Sequence, residues 1–466
     1  MKRSLGRGLL IVALVFAFAP SWQAQAQSQG PIYIVEAGDT LWGIAQRFGT
    51  DPSALAAANN ILVNSTLDVG QQLVIPGFEG VSGKLITHDA AFGESLSSMG
   101  LRYGVGSETL IRLNRIVNPE RMYIGQSLIV PQDEGGVLSL PQSMRQTVTA
   151  GETDTELSVR GNLNPWSLRS YNARGFRMWV VPGTVLALPG SGTPTTAVPD
   201  SAGAILVSPL PAVQGRTEVV GVTADSQVSV EGNLADNPLH FERADDKTLV
   251  ALQGVYALAK PGLYDLTIRV TPAAAGQAPF AFTQPVYVAD GGYPFDPILS
   301  VPPETIDPAV TAPENDQVAK IMAPVTPDKM WQGAFQFPTG YTKSFPSRFG
   351  SRRNYNGTGY NYYHSGLDFY GGTGTKITAP AKGRVVFTGE MTVRGNLTII
   401  DHGWGVYTAY FHQSEIDVKV GDVVDPGQPI GLIGATGRVT GPHLHWEVWV
   451  GGVPVNPMEW TQQAFP

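Results

Sequence analysis

The 466-residue chain contains seven histidines, and five of them fall between His364 and His445. Four of these lie in three short motifs: His364-Ser365-Gly366-Leu367-Asp368, Tyr410-Phe411-His412 and Gly441-Pro442-His443-Leu444-His445. Imidazole and carboxylate are the donors that hold zinc, and two imidazoles with one carboxylate leave a coordination position open for chemistry. A metal held this way activates water at neutral pH, so neither a serine nor a thiol nucleophile is needed. The remaining imidazoles can take or give a proton, or steady an oxyanion. The chain has no cysteine, which excludes thiolate metal sites, a thiol nucleophile, disulfide bridges and a lipid-modified N-terminal cysteine. No H-E-x-x-H is present, so a glutamate base of the helical zincin type is not indicated.

Extended chain must carry these residues. Between His443 and Val450 the apolar Leu444, Trp446, Val448 and Val450 alternate with His443, His445 and Glu447, which predicts a strand with the three polar side chains on one face. His364 and Asp368 are an even number of residues apart, so extended backbone puts them on one side as well. The same parity groups His412 with Tyr410 and Thr408 on a strand that begins at Val406, after the turn His402-Gly403-Trp404-Gly405. His402, at that turn, reads as structural, and Glu447 as a supporting or packing residue.

The stretch from Ser344 to Trp460 resembles the lysostaphin-type (LytM-type) zinc endopeptidases. The resemblance rests on Arg348-Phe349-Gly350, His364-x-x-x-Asp368, Gly374-Thr375, His402-Gly403-x-Gly405, Gly421-Asp422, Gly427-Gln428 and the run from Thr436-Gly437 to Glu447. It implies a mainly antiparallel β fold with a narrow groove, a zinc cofactor held by His364, Asp368 and His445, and catalytic roles for His412 and His443. Phe411 and Gln413 depart from the residues usual beside the catalytic histidine and are expected to alter the groove wall. A tyrosine that some members use near the oxyanion is left open among Tyr360, Tyr362 and Tyr363.

Self-comparison exposes a repeat ahead of this region. Gly38, Leu41, Gly49, Leu55, Asn59, Ile61, Gly70, Gln71, Leu73 and Pro76 recur 55 residues later, from Gly93 to Pro131, without a gap. A weaker third copy, offset by 113, keeps Gly151, Leu168, Asn172, Gly183, Leu186 and Pro189 but lacks the leucine expected at Asp154. Each unit predicts a β-α-α-β module, with Gly38-Asp39-Thr40 capping the first helix of the first copy. The pattern resembles the LysM domain. That implies binding of N-acetylglucosamine polymers such as the glycan of peptidoglycan, through the loops that hold Gly38, Asp39, Thr40 and Leu41 and then Ile61 and Leu62. The second copy, with Gly93-Glu94-Ser95, carries this implication less strongly, and the third reads as a packing module.

The expected organisation is therefore a signal peptide over 1–26, LysM repeats over 31–77 and 85–132, and a degenerate repeat over 147–189. A flexible linker over 190–204, an immunoglobulin-like β-sandwich over 205–290, a proline-rich linker over 294–330 and the peptidase over 331–466 complete it. The fold class is multidomain and mainly β. Fifty-four glycines, 36 prolines and 15% charged residues agree with turn-rich modules. The basic Lys2, Arg3 and Arg7, the apolar run 9–18 and Ala24-Gln25-Ala26 predict export with cleavage after Ala26, to periplasm, wall or exterior, with no stable membrane insertion. A formal net charge of −8 argues against nucleic acid as a partner and against non-specific adhesion to anionic polymers. His240 in the sandwich has no partner at ligand spacing, and that domain is expected to be a spacer. Two functions from different classes follow: a wall-targeted hydrolase, and an idle LytM-type activator of a separate wall amidase. Idle relatives lose zinc or catalytic positions, whereas this chain keeps all five. A purely structural wall-binding protein would leave the histidine cluster without a purpose.

Overall fold

The computed structural model describes residues 30–132, 143–148, 151–160, 165, 168, 172, 185–189, 204–224, 227–273 and 279–466. The expected signal peptide, nearly all of the linker 190–204 and Gly183 lie outside the described residues. The chain divides into two compact units, one of residues 1–86 with 131–134 and one of the remainder.

The first unit is built on the first repeat. Strands Ile32–Ile34 and Gln72–Val74 pair antiparallel around helices Leu41–Phe48 and Pro52–Ala58. Thr40 caps the first helix by accepting from Gly43 N at 3.1 Å, and Gly49, at φ +66°, ends it in the left-handed conformation. Asp51 caps the second helix, with Pro52 at its first position. Tyr33, Leu41, Ile44, Phe48, Leu55, Leu73 and Ile75 form the buried core. Asn59 recurs among the copies because its amide stitches helix to strand. Its Nδ2 donates to Leu55 O and Val74 O, each at 2.8 Å, while Oδ1 accepts from Val74 N at 2.7 Å.

In the second unit, Asn114 makes the same three bonds to Leu110 and Ile129, and Asn172 donates to Leu168 O at 2.8 Å. The third copy keeps the pairing of Ser143–Thr147 with Val185–Pro189 over a small core of Val148, Leu157, Leu168, Leu186 and Leu188. Asp154, where its leucine is missing, opens the helix Asp154–Arg160.

Residues 204–289 form a five-stranded and a four-stranded sheet that share one apolar core. This domain is not a loose spacer. Its Val250 and Leu252 belong to the same buried cluster as Trp331, Trp446 and Trp460 further along the chain. Thr217 N donates to Glu459 Oε1 at 2.9 Å, and Asn456 N donates to Gly215 O at 2.7 Å.

The proline-rich segment also differs from an extended linker. Pro308–Met322 is a helix, capped by Asp307, with Pro308 at the first position, where a missing N–H costs nothing. Pro313 inside it forfeits a backbone bond. Burial of Val318 and Met322 against Leu397, Ile399 and Tyr407 offsets that loss.

The last domain is a nine-stranded sheet. Strand His443–Val450 lies between Leu367–Tyr370 and Val406–Ile416, antiparallel to both. Leu367, Phe369, Tyr410, Leu444, Trp446 and Val448 fill one face of the sheet with the aromatic cluster of Trp331 and Trp460.

Candidate metal centre and groove

Strand alternation delivers the candidate ligands as predicted. Asp368 stands opposite His445 in the antiparallel pair, while Leu367 and Phe369 oppose Trp446 and Leu444 and turn into the core. His364 precedes this strand and is held by bonds from Gly350 N to its carbonyl at 2.8 Å and from its N–H to Ser351 O at 2.9 Å. Glycine at 366 allows the approach, because a Cβ there would come within 2.8 Å of His445 Nε2.

The three inward donor atoms form a tight triangle. His364 Nε2 lies 3.0 Å from Asp368 Oδ1 and 2.9 Å from His445 Nδ1, and His445 Nδ1 lies 2.9 Å from Asp368 Oδ1. The outward bonds assign the tautomers. His364 Nδ1 donates to Arg348 O at 3.0 Å, and His445 Nε2 donates to Glu447 Oε1 at 3.1 Å. Both inward nitrogens therefore carry lone pairs, next to a carboxylate oxygen. Three lone pairs without a proton to share repel unless a cation stands among them, and this donor set fits a zinc-type ion. All three residues are buried, with ligand atoms within 4.8 Å of one another.

The electrostatics point the same way. Burial opposes charge on Asp368, but His364 and His445 outweigh it and hold the carboxyl well below its usual range. Burial also pushes His364 down. At His445 burial is overcome by the Asp368 and Glu447 carboxylates beside it, so its pKa rises: the field at that ring favours a positive charge. Glu447 stands on the outward side of His445. It accepts from His445, from Ser365 Oγ and from Trp449 Nε1, and so orients His445 as expected of a supporting residue.

His412 reaches the groove in a way that parity misplaces. Tyr410 and Thr408 pair with Trp446 and Val448 and share their core face, opposite to that of His445. Between the pairs Asn396↔Gln413 and Thr398↔Tyr410 the strand holds one extra residue, and His412 has φ +62°. This bulge turns His412 back to the metal side, a recurrent use of bulges near active sites. Its Nδ1 donates to Thr436 O at 2.8 Å, which leaves Nε2 unprotonated. Burial, and then the neighbouring His445 and His443, push its pKa down to about 3. His443 Nδ1 donates to Gly441 O at 2.9 Å, and its Nε2 lies 3.8 Å from Asp368 Oδ1. The two rings are 5.0 Å apart.

His402 is buried: it donates to Lys382 O, bonds Thr408 Oγ1 and packs on Phe335. Phe411 lines the groove against His445, whereas Gln413 is buried and bonds Thr398, away from the wall. Tyr360 donates to Asp296 O, while Tyr362 and Tyr363 line the groove. Sequence reasoning missed Arg353, whose Nη2 lies 3.9 Å from Asp368 Oδ2, and Glu314, which bonds Val393 N, Arg394 N and the Arg394 guanidinium. Neither sits at a spacing that signals it.

In the first repeat Gly38, Thr40 and Leu62 are exposed and Ile61 is half-buried. Leu41 is a core residue and can offer only its backbone, and Asp39 holds the loop by accepting from Tyr33 OH and Glu36 N. Trp42, 60% exposed beside this loop, went unnoticed in the repeat comparison. In the second repeat the matching loop is covered: Gly93 N donates to Gln284 Oε1 at 2.7 Å and Phe92 packs on Phe282 of the sandwich. His240 is exposed.

Residues 362–457 match peptidase family M23, and residues 33–76 and 91–131 match the LysM domain. The peptidoglycan DD-endopeptidase ShyA of Vibrio cholerae is 44% identical over 129 residues, 28% of this chain and 30% of ShyA. The DD-carboxypeptidase/endopeptidase Mpg of Neisseria meningitidis is 43% identical over 95 residues, 20% of this chain and 22% of Mpg. The chain thus spans less than a third of the length of these curated relatives. A crystal structure of a putative M23 peptidase from Pseudomonas aeruginosa aligns at 26% identity over 55% of this chain and 96% of its own, with a TM-score of 0.40. Residues 362–457 are thus a domain of peptidase family M23, carried C-terminal to LysM domains in the same chain.

Proposed function

We propose that this chain is an exported zinc metalloendopeptidase of the bacterial envelope. It hydrolyses stem peptides or peptide cross-links of peptidoglycan and is held to the glycan by its LysM repeats. One observation carries the reading: the lone pairs of His364, Asp368 and His445 converge beside two further imidazoles that keep an unprotonated nitrogen in the same groove. Zinc held by the first three residues supplies Lewis acidity and an activated water at neutral pH.

The chain's own side chains supply the rest. Thr436 O takes the Nδ1 proton of His412, so its free Nε2 faces the groove as the atom that can accept a proton from the attacking water. His443, across a 5.0 Å ring separation, also keeps Nε2 free; once that nitrogen has taken up a proton it can pass it to the leaving amine or donate to the developing oxyanion. Thr436 O and Gly441 O fix which nitrogen of each ring is free. The groove, about 970 Å³, has room for a peptide segment. The activities for which ShyA and Mpg are named support a peptidoglycan substrate, and Gly38, Thr40, Trp42 and Leu62 present an exposed surface for glycan on the first repeat. The idle-activator reading is disfavoured because none of the five ligand and catalytic positions is lost.

Purified sacculi digested with the zinc-loaded protein test this directly. Mass spectrometry should find cross-linked fragments converted to uncrosslinked or shortened peptides. Fragments from glycan-strand cleavage alone, or none, would count against the endopeptidase.

A further inference from the structure

The segment ahead of the M23 match builds one wall of the groove. Phe295 and Leu299 make bridges with Arg352 and Tyr355, and Asp296 N donates to Arg352 O at 2.9 Å. Further along, Thr305 O accepts from Arg438 Nη1 at 2.9 Å, and the Arg438 guanidinium lies over the Tyr355 ring at 4.6 Å. Arg438 N donates to Val393 O at 2.8 Å, and Thr436, two residues earlier, is the residue that holds His412. Arg438 is thus fixed in orientation, on the His412 side of the groove it lines.

The arginines lining this groove are not alike. Arg394 pairs with Glu314 at 2.8 Å, and Arg353 lies between Asp296 at 3.5 Å and Asp368 at 3.9 Å. Arg348 is exposed over Phe345. Arg438 is half-buried and has no carboxylate partner among the described residues. Burial lowers its pKa, with Arg353 and Arg394 acting in the same direction against Tyr355 and Glu314, so the protein compensates its charge only in part. A held, partly desolvated guanidinium with spare N–H groups is a built receptor for a carboxylate, which it can bind by two parallel bonds.

We propose that Arg438 anchors a free carboxylate of the peptide substrate. Peptides that carry such a group in the groove, rather than an uncharged glycine bridge, are then the preferred substrates. This rests on the endopeptidase reading and narrows it. The segment outside the matched domain takes part, since Thr305 orients the guanidinium and Tyr355 backs it.

The test uses two peptides of one sequence, a D-alanyl–diamino-acid linkage whose diamino acid bears either a free carboxylate or a carboxamide. Binding and turnover are both measured on the zinc-loaded full chain. The wild type should favour the carboxylate peptide by about 10–100-fold, the scale of one charge-assisted contact. Arg438→Gln should bring that ratio close to one at unchanged zinc content, and Arg438→Lys should retain part of it. Equal binding of the two peptides by the wild type overturns the anchor without recourse to any variant, as does an undiminished ratio in zinc-loaded Arg438→Gln. Selective binding with no turnover of either peptide would uphold the anchor and sink the endopeptidase reading instead.

Discussion

An imidazole buried beside two others has little freedom to carry charge, and His412, with a pKa pushed down to about 3, is in that position. Its Nε2 is therefore unprotonated at neutral pH and passes on any proton it takes, while contributing no atom to the metal triangle. His412→Ala should therefore keep its zinc yet lose about 10²–10⁴-fold in peptide turnover, the usual worth of a general acid–base group. Asp368→Ala and His445→Ala should lose the metal itself, because two remaining donors are too few. Elemental analysis run beside turnover separates the two outcomes, and full activity in zinc-loaded His412→Ala would remove it from the mechanism. The candidate ligands were legible in the sequence because strict alternation puts His443, His445 and Glu447 on one face and Leu444 and Trp446 on the other. The placement of His412 was not, since a one-residue bulge leaves no trace in a parity count. Arg353, Glu314 and Arg438 were equally silent, as their partners lie far away along the chain.

Strands and helices were legible where local chemistry dictates them, as at the Thr40 and Asp51 caps and the Asn59 staple. The proline-rich segment misled because its prolines suggested an extended chain, whereas Pro308 suits a helix start and tertiary burial of Val318 and Met322 settles the rest. The junction between sandwich and peptidase was invisible for the same reason. Glu218 is fully buried there and neither carboxylate oxygen has a protein partner, while Glu459 accepts from Thr217. Burial, reinforced by Glu459, pushes Glu218 up to about 9, and burial pushes Glu459 up to about 7. Both pKa values are raised on folding, so the native state holds more protons than the unfolded one above about pH 4.5. The stability these neutral carboxyls allow is present below that pH and is lost as pH climbs, through about 7 for Glu459 and about 9 for Glu218. Melting temperature should accordingly fall between pH 5 and pH 9. Glu218→Gln should flatten that slope by an amount on the order of a few kcal/mol. An unchanged slope in the variant would show that Glu218 is ionised in the native protein.

At the scale of the whole molecule, the repeat comparison located the LysM modules but could not distinguish their duties. The same loop is bare at Gly38 and Thr40 and covered at Gly93 by Gln284, a difference made by tertiary partners and not by the repeat pattern. The sandwich and the helix Pro308–Met322 share cores with the peptidase sheet, so the second unit brings the candidate catalytic groups and groove wall together as one packed body. The proposed activity hangs on the triangle of His364, Asp368 and His445. Stripping the protein of metal and titrating zinc back while following peptide release from sacculi measures this. Release should be absent without metal, rise with added zinc to a plateau at one ion per chain, and fail to appear in His445→Ala at any zinc level. Undiminished release by the metal-free protein, or one tightly bound zinc per chain with no release from any sacculus, would contradict it.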